Sequence, residues 1–159
     1  MEDLKPCSIG ELLHETCHKI TYTKKLGTIN VNDLSTEDWE LLIWRTGISQ
    51  VAMTAVCQHH YEGYITKYEK YHHFVCCDPL HQHSSKSVKN QLRTVNIDLA
   101  RDIHSLLNIS VIPGQKLCCN CCKTINESLN SKRECVVNIS NSPSGTKKDS
   151  SDDTDDQTS

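Results

Sequence analysis

Cys57-Gln58-His59-His60, Cys76-Cys77-Asp78-Pro79-Leu80-His81-Gln82-His83 and Cys118-Cys119-Asn120-Cys121-Cys122 are three short runs that hold seven of the ten cysteines of this 159-residue chain. Side chains three residues apart project to one side of a helical turn or knuckle, so Cys57 with His60, and Cys118 with Cys121, can each offer two donors to one ion. Cys77 and His83 close a third pair around the Asp78-Pro79 turn. Sulfur and imidazole donors repeated in this way suit tetrahedral Zn2+. The spacing therefore predicts metal ligands at Cys57, His60, Cys77, His83, Cys118 and Cys121, with Zn2+ as the cofactor.

How these donors group in space is open at the level of sequence. One arrangement joins Cys57, His60, Cys118 and Cys121, clamping the whole middle of the chain. A rival is sequential, Cys57 and His60 with Cys77 and His83, leaving the last knuckle to another ion. Cys76, His81, Cys119 and Cys122 are further donors, and the doublets make the register ambiguous by one residue.

Composition explains why staples are expected. Aromatic residues make up 5% of the chain, with one Phe, and the apolar fraction is 36%. A core that thin favours a disulfide or metal framework. The first residues show no apolar leader and no run reaches a membrane span, which favours an intracellular, reducing setting and metal over disulfides. Nine histidines agree with that. The triplets at Asn108, Asn126 and Asn138 fit the glycosylation pattern but carry little weight without an export signal.

Working outward, Ser8 and Glu11 form a capping box before Ile9, Leu12, Leu13, Cys17 and Ile20, predicting a helix over 9–20. His14, Cys17 and His18 share its face with Cys7 nearby; this reads as a semi-buried face, with another metal site as the alternative. Ser35, an apolar stripe at Trp39, Leu42 and Ile43, and Gly47 delimit a second helix. From Ser49 a longer helix is expected to run to about Tyr71, with Cys57, His60, Tyr61, Tyr64, Tyr68 and Tyr71 along one side. The tyrosines read as packing residues, with base stacking the alternative. Leu92, Val95, Leu99, Ile103 and Leu106 mark another helix, capped by Asn96 or Thr94. Pro113-Gly114 turns the chain into the last knuckle.

The expected organisation is an N-terminal helical unit (1–48), a Cys/His module (49–130) and a disordered, Ser/Asp-rich tail (131–159), whose Ser150 and Ser151 suit an acid-directed kinase. The fold class is mainly α: a small zinc-stapled helical domain with short extended segments and knuckle turns. Net charge is −3 over residues 1–56, +3 over 57–125 and −3 over 126–159. A centre so mildly basic permits phosphate contact without demanding it.

The pieces Cys57-x2-His60, Cys76-Cys77-Asp78-Pro79 with His83, and Pro113-Gly114-Gln115-Lys116-Leu117-Cys118-x2-Cys121 together resemble a Cys/His module found in uncharacterised invertebrate proteins. The resemblance covers roughly residues 57–125 and implies the six donors named above, without an associated activity. The function expected is a non-enzymatic structural-zinc module that binds a protein partner, with nucleic acid as a secondary possibility, no membrane association and a nuclear location. The alternatives are a RING-like ubiquitin ligase or a zinc-dependent hydrolase or deaminase. No His-Glu-x2-His or His-x-Glu…Pro-Cys-x2-Cys signature is present.

Overall fold

The computed structural model describes residues 6–17, 27–72, 74–84 and 87–140, the side chains of 71, 72 and 138–140 excepted. About half of these residues are helical, and the strands are short. Elements in chain order are α1 (Ser8–Leu12), β1 (Thr28–Asn30), a 3-10 turn (Val31–Asp33), α2 (Thr36–Thr46), β2 (Ala55–Cys57), α3 (Gln58–Tyr61), a π-helical turn (Glu62–Thr66), α4 (Tyr68–His72), β3 (Arg93–Thr94), α5 (Ile97–Leu107), β4 (Lys116–Leu117) and α6 (Cys119–Ser140).

Two small cores organise the chain. In the first, Ile9, Leu42, Ile48, Met53 and Val56 are buried with Cys7, and Trp39, Tyr61 and Tyr64 pack around them. Helix α2 supplies Leu42 as its sequence predicts. Ser35 Oγ accepts the Asp38 amide at 3.1 Å, and Gly47 ends the helix at φ 71°, where a Cβ would be strained. Strands β1 and β2 pair antiparallel, Thr28 opposite Cys57 and Asn30 opposite Ala55.

In the second core Val95, Ala100, Ile103, Val111, Leu117, Ile125 and Leu129 are buried with Cys76, Cys118 and Cys121. Asn96 caps α5, its Oδ1 accepting the Leu99 amide at 2.8 Å, and Asn108 closes it at φ 54°. Cys121, Ile125 and Leu129 recur at four-residue steps, which puts one stripe of α6 against α5. Strands β3 and β4 pair antiparallel, placing Arg93 opposite Leu117 just ahead of the last knuckle.

Arg45, at the end of α2, joins the two cores. It donates to the Pro113 carbonyl at 2.9 Å and to the Tyr64 carbonyl at 2.6 Å. Its guanidinium lies 4.1 Å from the centre of the buried Tyr68 ring. A Cβ on Gly114 (φ 101°) would sit 2.7 Å from that ring, so the turn needs glycine.

Several expectations are corrected. The helix predicted over 9–20 stops at Leu12, and His14 takes φ 56°, turning the chain so that Cys17 comes back over Gly10. His18 and Ile20 lie outside the described residues. No single helix runs from Ser49 to Tyr71, because residues 55–57 pair with β1 and the Val31 amide bonds the Thr54 carbonyl at 3.1 Å. Cross-strand pairing overrides helical periodicity there. Tyr61, Tyr64 and Tyr68 pack, Tyr61 donating to Asp38 at 2.8 Å and Tyr64 to Glu15 at 2.5 Å, and the Tyr71 side chain lies outside the described residues. Strand pairing and the first core bring together residues from both sides of positions 48 and 49. Helix α6 continues through 131–140, part of the expected tail, and the rest of that tail lies outside the described residues.

Candidate metal centres

Two groups of four donors form among the described residues, each with its ligand atoms within 4.8 Å of one another. The first comprises Cys7, Cys17, Cys57 and His60, and the second Cys76, His83, Cys118 and Cys121.

In the first centre the Nδ1 atom of His60 faces three sulfurs, at 3.2 Å from Cys57, 3.3 Å from Cys7 and 3.7 Å from Cys17. Cys57 ends β2 and caps α3, so its sulfur points along the helix start and takes the His60 amide at 3.5 Å. The Cys57 amide points to Cys7 Sγ at 3.3 Å. Amides aimed at sulfur favour the thiolate that binds a metal. Gly10 completes the enclosure, since a Cβ there would stand 2.8 Å from Cys17 Sγ. The other face of the imidazole is built too. His60 Nε2 is buried without an aligned hydrogen bond, and Glu15 Oε2 lies 3.3 Å from it. Tyr64 holds the second oxygen of that carboxylate. A carboxylate behind a histidine is how metal sites fix the ring and its tautomer.

In the second centre His83 presents Nε2, at 3.3 Å from Cys118 Sγ and 3.4 Å from Cys121 Sγ. Asp78 shapes the loop that carries it. Its oxygens accept the amides of Gln82 at 2.8 Å and His83 at 3.0 Å, and one of them lies 4.0 Å from His83 Nδ1. Cys76 Sγ accepts the Cys118 amide at 3.2 Å and faces the Asp78 amide at 3.5 Å. Cys118 sits at the mouth of α6 and Cys121 one turn on, fully buried.

The thiols respond to this crowding. Hydrogen bonding from the Cys57 thiol brings Cys7 down to about 3, against the opposing effect of burial. Cys57 itself is pushed up, first by that same bond and then by burial. In the second centre burial raises Cys118, yet the Cys121 amide and His83 outweigh it and leave it at about 7. Burial pushes Cys121 up. In each centre the shifts arise from the other sulfurs, the histidine and burial together, as expected of thiols that share one point.

Of the six donors expected from spacing, Cys57 and His60 fall in the first centre and His83, Cys118 and Cys121 in the second. Cys77 falls in neither; Cys76 joins instead. The cause is local. The Cys76 amide bonds the Val88 carbonyl and the Cys77 amide bonds the Lys116 carbonyl, both at 2.8 Å, so the two side chains of this extended segment point to opposite sides. Cys77 packs against the second core, and burial pushes its thiol up to about 11. Neither expected grouping forms: Cys57 and His60 join neither Cys118 and Cys121 nor Cys77 and His83. Their partners are Cys7 and Cys17, whose face reads in the sequence first as a semi-buried surface and, as the alternative, as another metal site; the alternative is the one whose donors converge here. Nine residues separate that pair, so no knuckle motif announces it, and the turn at His14 brings the two together. His81 and Cys119 are exposed and Cys122 is half-buried, all outside both centres.

The four donor pairs join in chain order, first with second and third with fourth, so the centres are consecutive and not interleaved. Each set offers three sulfurs and one imidazole, donor types that suit a soft-to-borderline divalent ion. No protein-family profile matches the chain, and no solved structure matches it. Among the described residues, no helix is long and apolar enough to cross a membrane.

Proposed function

We propose that this chain is a non-catalytic scaffold held by two structural zinc ions, one bound by Cys7, Cys17, Cys57 and His60 and the other by Cys76, His83, Cys118 and Cys121. The observation that carries this reading is the convergence of two complete Cys3His sets, each beside its own small core. Zinc is favoured over other ions because a closed tetrahedron of thiolate and imidazole is its usual structural site. Closed donor sets also favour a binding role over hydrolase or deaminase chemistry, which needs an open coordination position.

A protein partner is favoured over nucleic acid. Residues 57–125 carry a net charge of only +3, and Lys116 and Arg101 there are already paired with Glu69 at 2.7 Å and Asp98 at 2.9 Å, short of the strongly basic face that a nucleic-acid binder presents. Reduced thiols at both centres favour a reducing compartment such as the nucleus. The consecutive order of the two centres speaks against a RING-type cross-brace, in which alternate pairs share an ion.

Zinc quantification on the purified chain tests the reading. Two ions per chain are expected, falling to one when Cys57 or Cys118 is replaced by serine. A folded chain free of metal overturns it.

A further inference from the structure

Two cysteines of the last knuckle are left over once the centres are filled. Cys119 and Cys122 repeat the two-residue spacing of Cys118 and Cys121, displaced by one position. They occupy the first and fourth residues of α6, so they stand one above the other on a face turned away from the buried Cys121. Both line an open groove of about 340 Å³ whose walls also include Arg93, Lys123 and Asn126. Cys119 is exposed, and its thiol points to the carbonyl and side-chain oxygens of Gln91, each at 3.6 Å, with no sulfur partner among those contacts.

From this placement we infer that Cys119 and Cys122 form an oxidisable dithiol, a modification site that closes to an intramolecular disulfide while the neighbouring ligand cysteines are spared. Helical residues three apart hold their Cβ atoms about 5–6 Å apart. A disulfide needs about 3.5–4.5 Å. Closing that difference takes a local tightening between Cys119 and Cys122 on the outer side of the first turn, opposite the buried Cys121. Cys135 is exposed as well, but it sits four turns along α6 from this pair and has no second thiol on its own turn.

The chemistry balances with a peroxide as oxidant. The Cys119 sulfur attacks one peroxide oxygen, the O–O bond breaks, and a sulfenic acid forms with loss of water. The Cys122 sulfur then attacks the sulfenic sulfur, a second water leaves, and the S–S bond forms. Selectivity comes from access and coordination. The exposed Cys119 meets the oxidant first and the half-buried Cys122 resolves it, whereas Cys76, Cys118 and Cys121 are buried and, on the proposed function, metal-bound. The inference rests on that reading for the sparing of the ligands.

The test treats the full chain with limiting hydrogen peroxide, after its zinc content has been measured, then alkylates free thiols. Fragmentation of the tryptic peptide 117–123, which holds all four knuckle cysteines, locates any bridge. The expected product has lost two hydrogens, bridges Cys119 to Cys122, and keeps the zinc measured before oxidation. Cys119→Ser and Cys122→Ser should each abolish it without changing the far-ultraviolet circular dichroism spectrum. Full alkylation of Cys119 and Cys122 after peroxide overturns the inference, as does a bridge that involves Cys118 or Cys121 with zinc released. Absence of zinc before oxidation is a separate result, which counts against the metal reading itself.

Discussion

Gly10 shows how tightly single positions are constrained around the first centre. Its missing side chain leaves room for Cys17 Sγ, which a Cβ would approach to 2.8 Å. Gly10→Ala is therefore expected to cost the first centre its metal while the second keeps its own, so the zinc count falls from two to one. Glu15 acts at one remove, through His60 Nε2 at 3.3 Å and under the hold of the Tyr64 hydroxyl. Glu15→Gln keeps a hydrogen-bond acceptor and loses the charge. It should retain zinc at saturation and weaken binding at the first centre about 10- to 100-fold, the usual range for such outer carboxylates. Competition with a chromophoric chelator measures this, and the second centre serves as the internal control.

At the level of elements, short helices here are fixed by their ends more than by their length. Helix α3 has four residues and is held by Cys57, whose sulfur serves as cap and donor together. Helix α5 is longer, and its side-chain cap is Asn96. Asn96→Ala should destabilise the zinc-loaded chain by about 1 kcal/mol, the common cost of an N-cap. Urea denaturation should show this as a lower midpoint with an unchanged slope and an unchanged zinc content. Helix α6 carries two roles along one rod. Its first three turns bury Cys121, Ile125 and Leu129, whereas residues 131–137 are exposed. Stability thus resides in its N-terminal half.

Over the whole molecule, two small cores each lie beside one candidate metal centre, with Arg45 between them. Each core is too small to stand comfortably alone, and structural zinc contributes on the order of 10–16 kcal/mol to folding in zinc-finger peptides. Chelation at neutral pH should therefore unfold both halves, seen as loss of helical circular dichroism and as collapse of dispersed amide resonances. Lowering the pH should have the same effect, because every thiolate must take up a proton as the metal leaves. Arg45→Ala removes donors from the Pro113 and Tyr64 carbonyls and uncovers the Tyr68 ring. Loss of charged hydrogen bonds in a half-buried position should cost about 3 kcal/mol in denaturant titrations, with both zinc ions retained.

Local chemistry was legible directly from the chain. Ser35 and Gly47 mark helix ends because capping depends on residues within one turn, and of the two caps the sequence offers for α5, Asn96 and Thr94, the structure uses Asn96. The pairs Cys57 with His60 and Cys118 with Cys121 read as donors for the same reason, since each is closed by a single turn. Three-dimensional packing alone settled which pairs share a centre. Cys7 and Cys17 lie 50 and 40 residues before Cys57, and they reach it only because α1 ends early, His14 reverses the chain and β1 pairs with β2. The choice of Cys76 over Cys77 likewise follows from hydrogen bonds to Val88 and Lys116, partners distant in sequence. Spacing can specify a chelating pair, but a tetrahedron needs two pairs, and only the folded backbone brings the second one to the first.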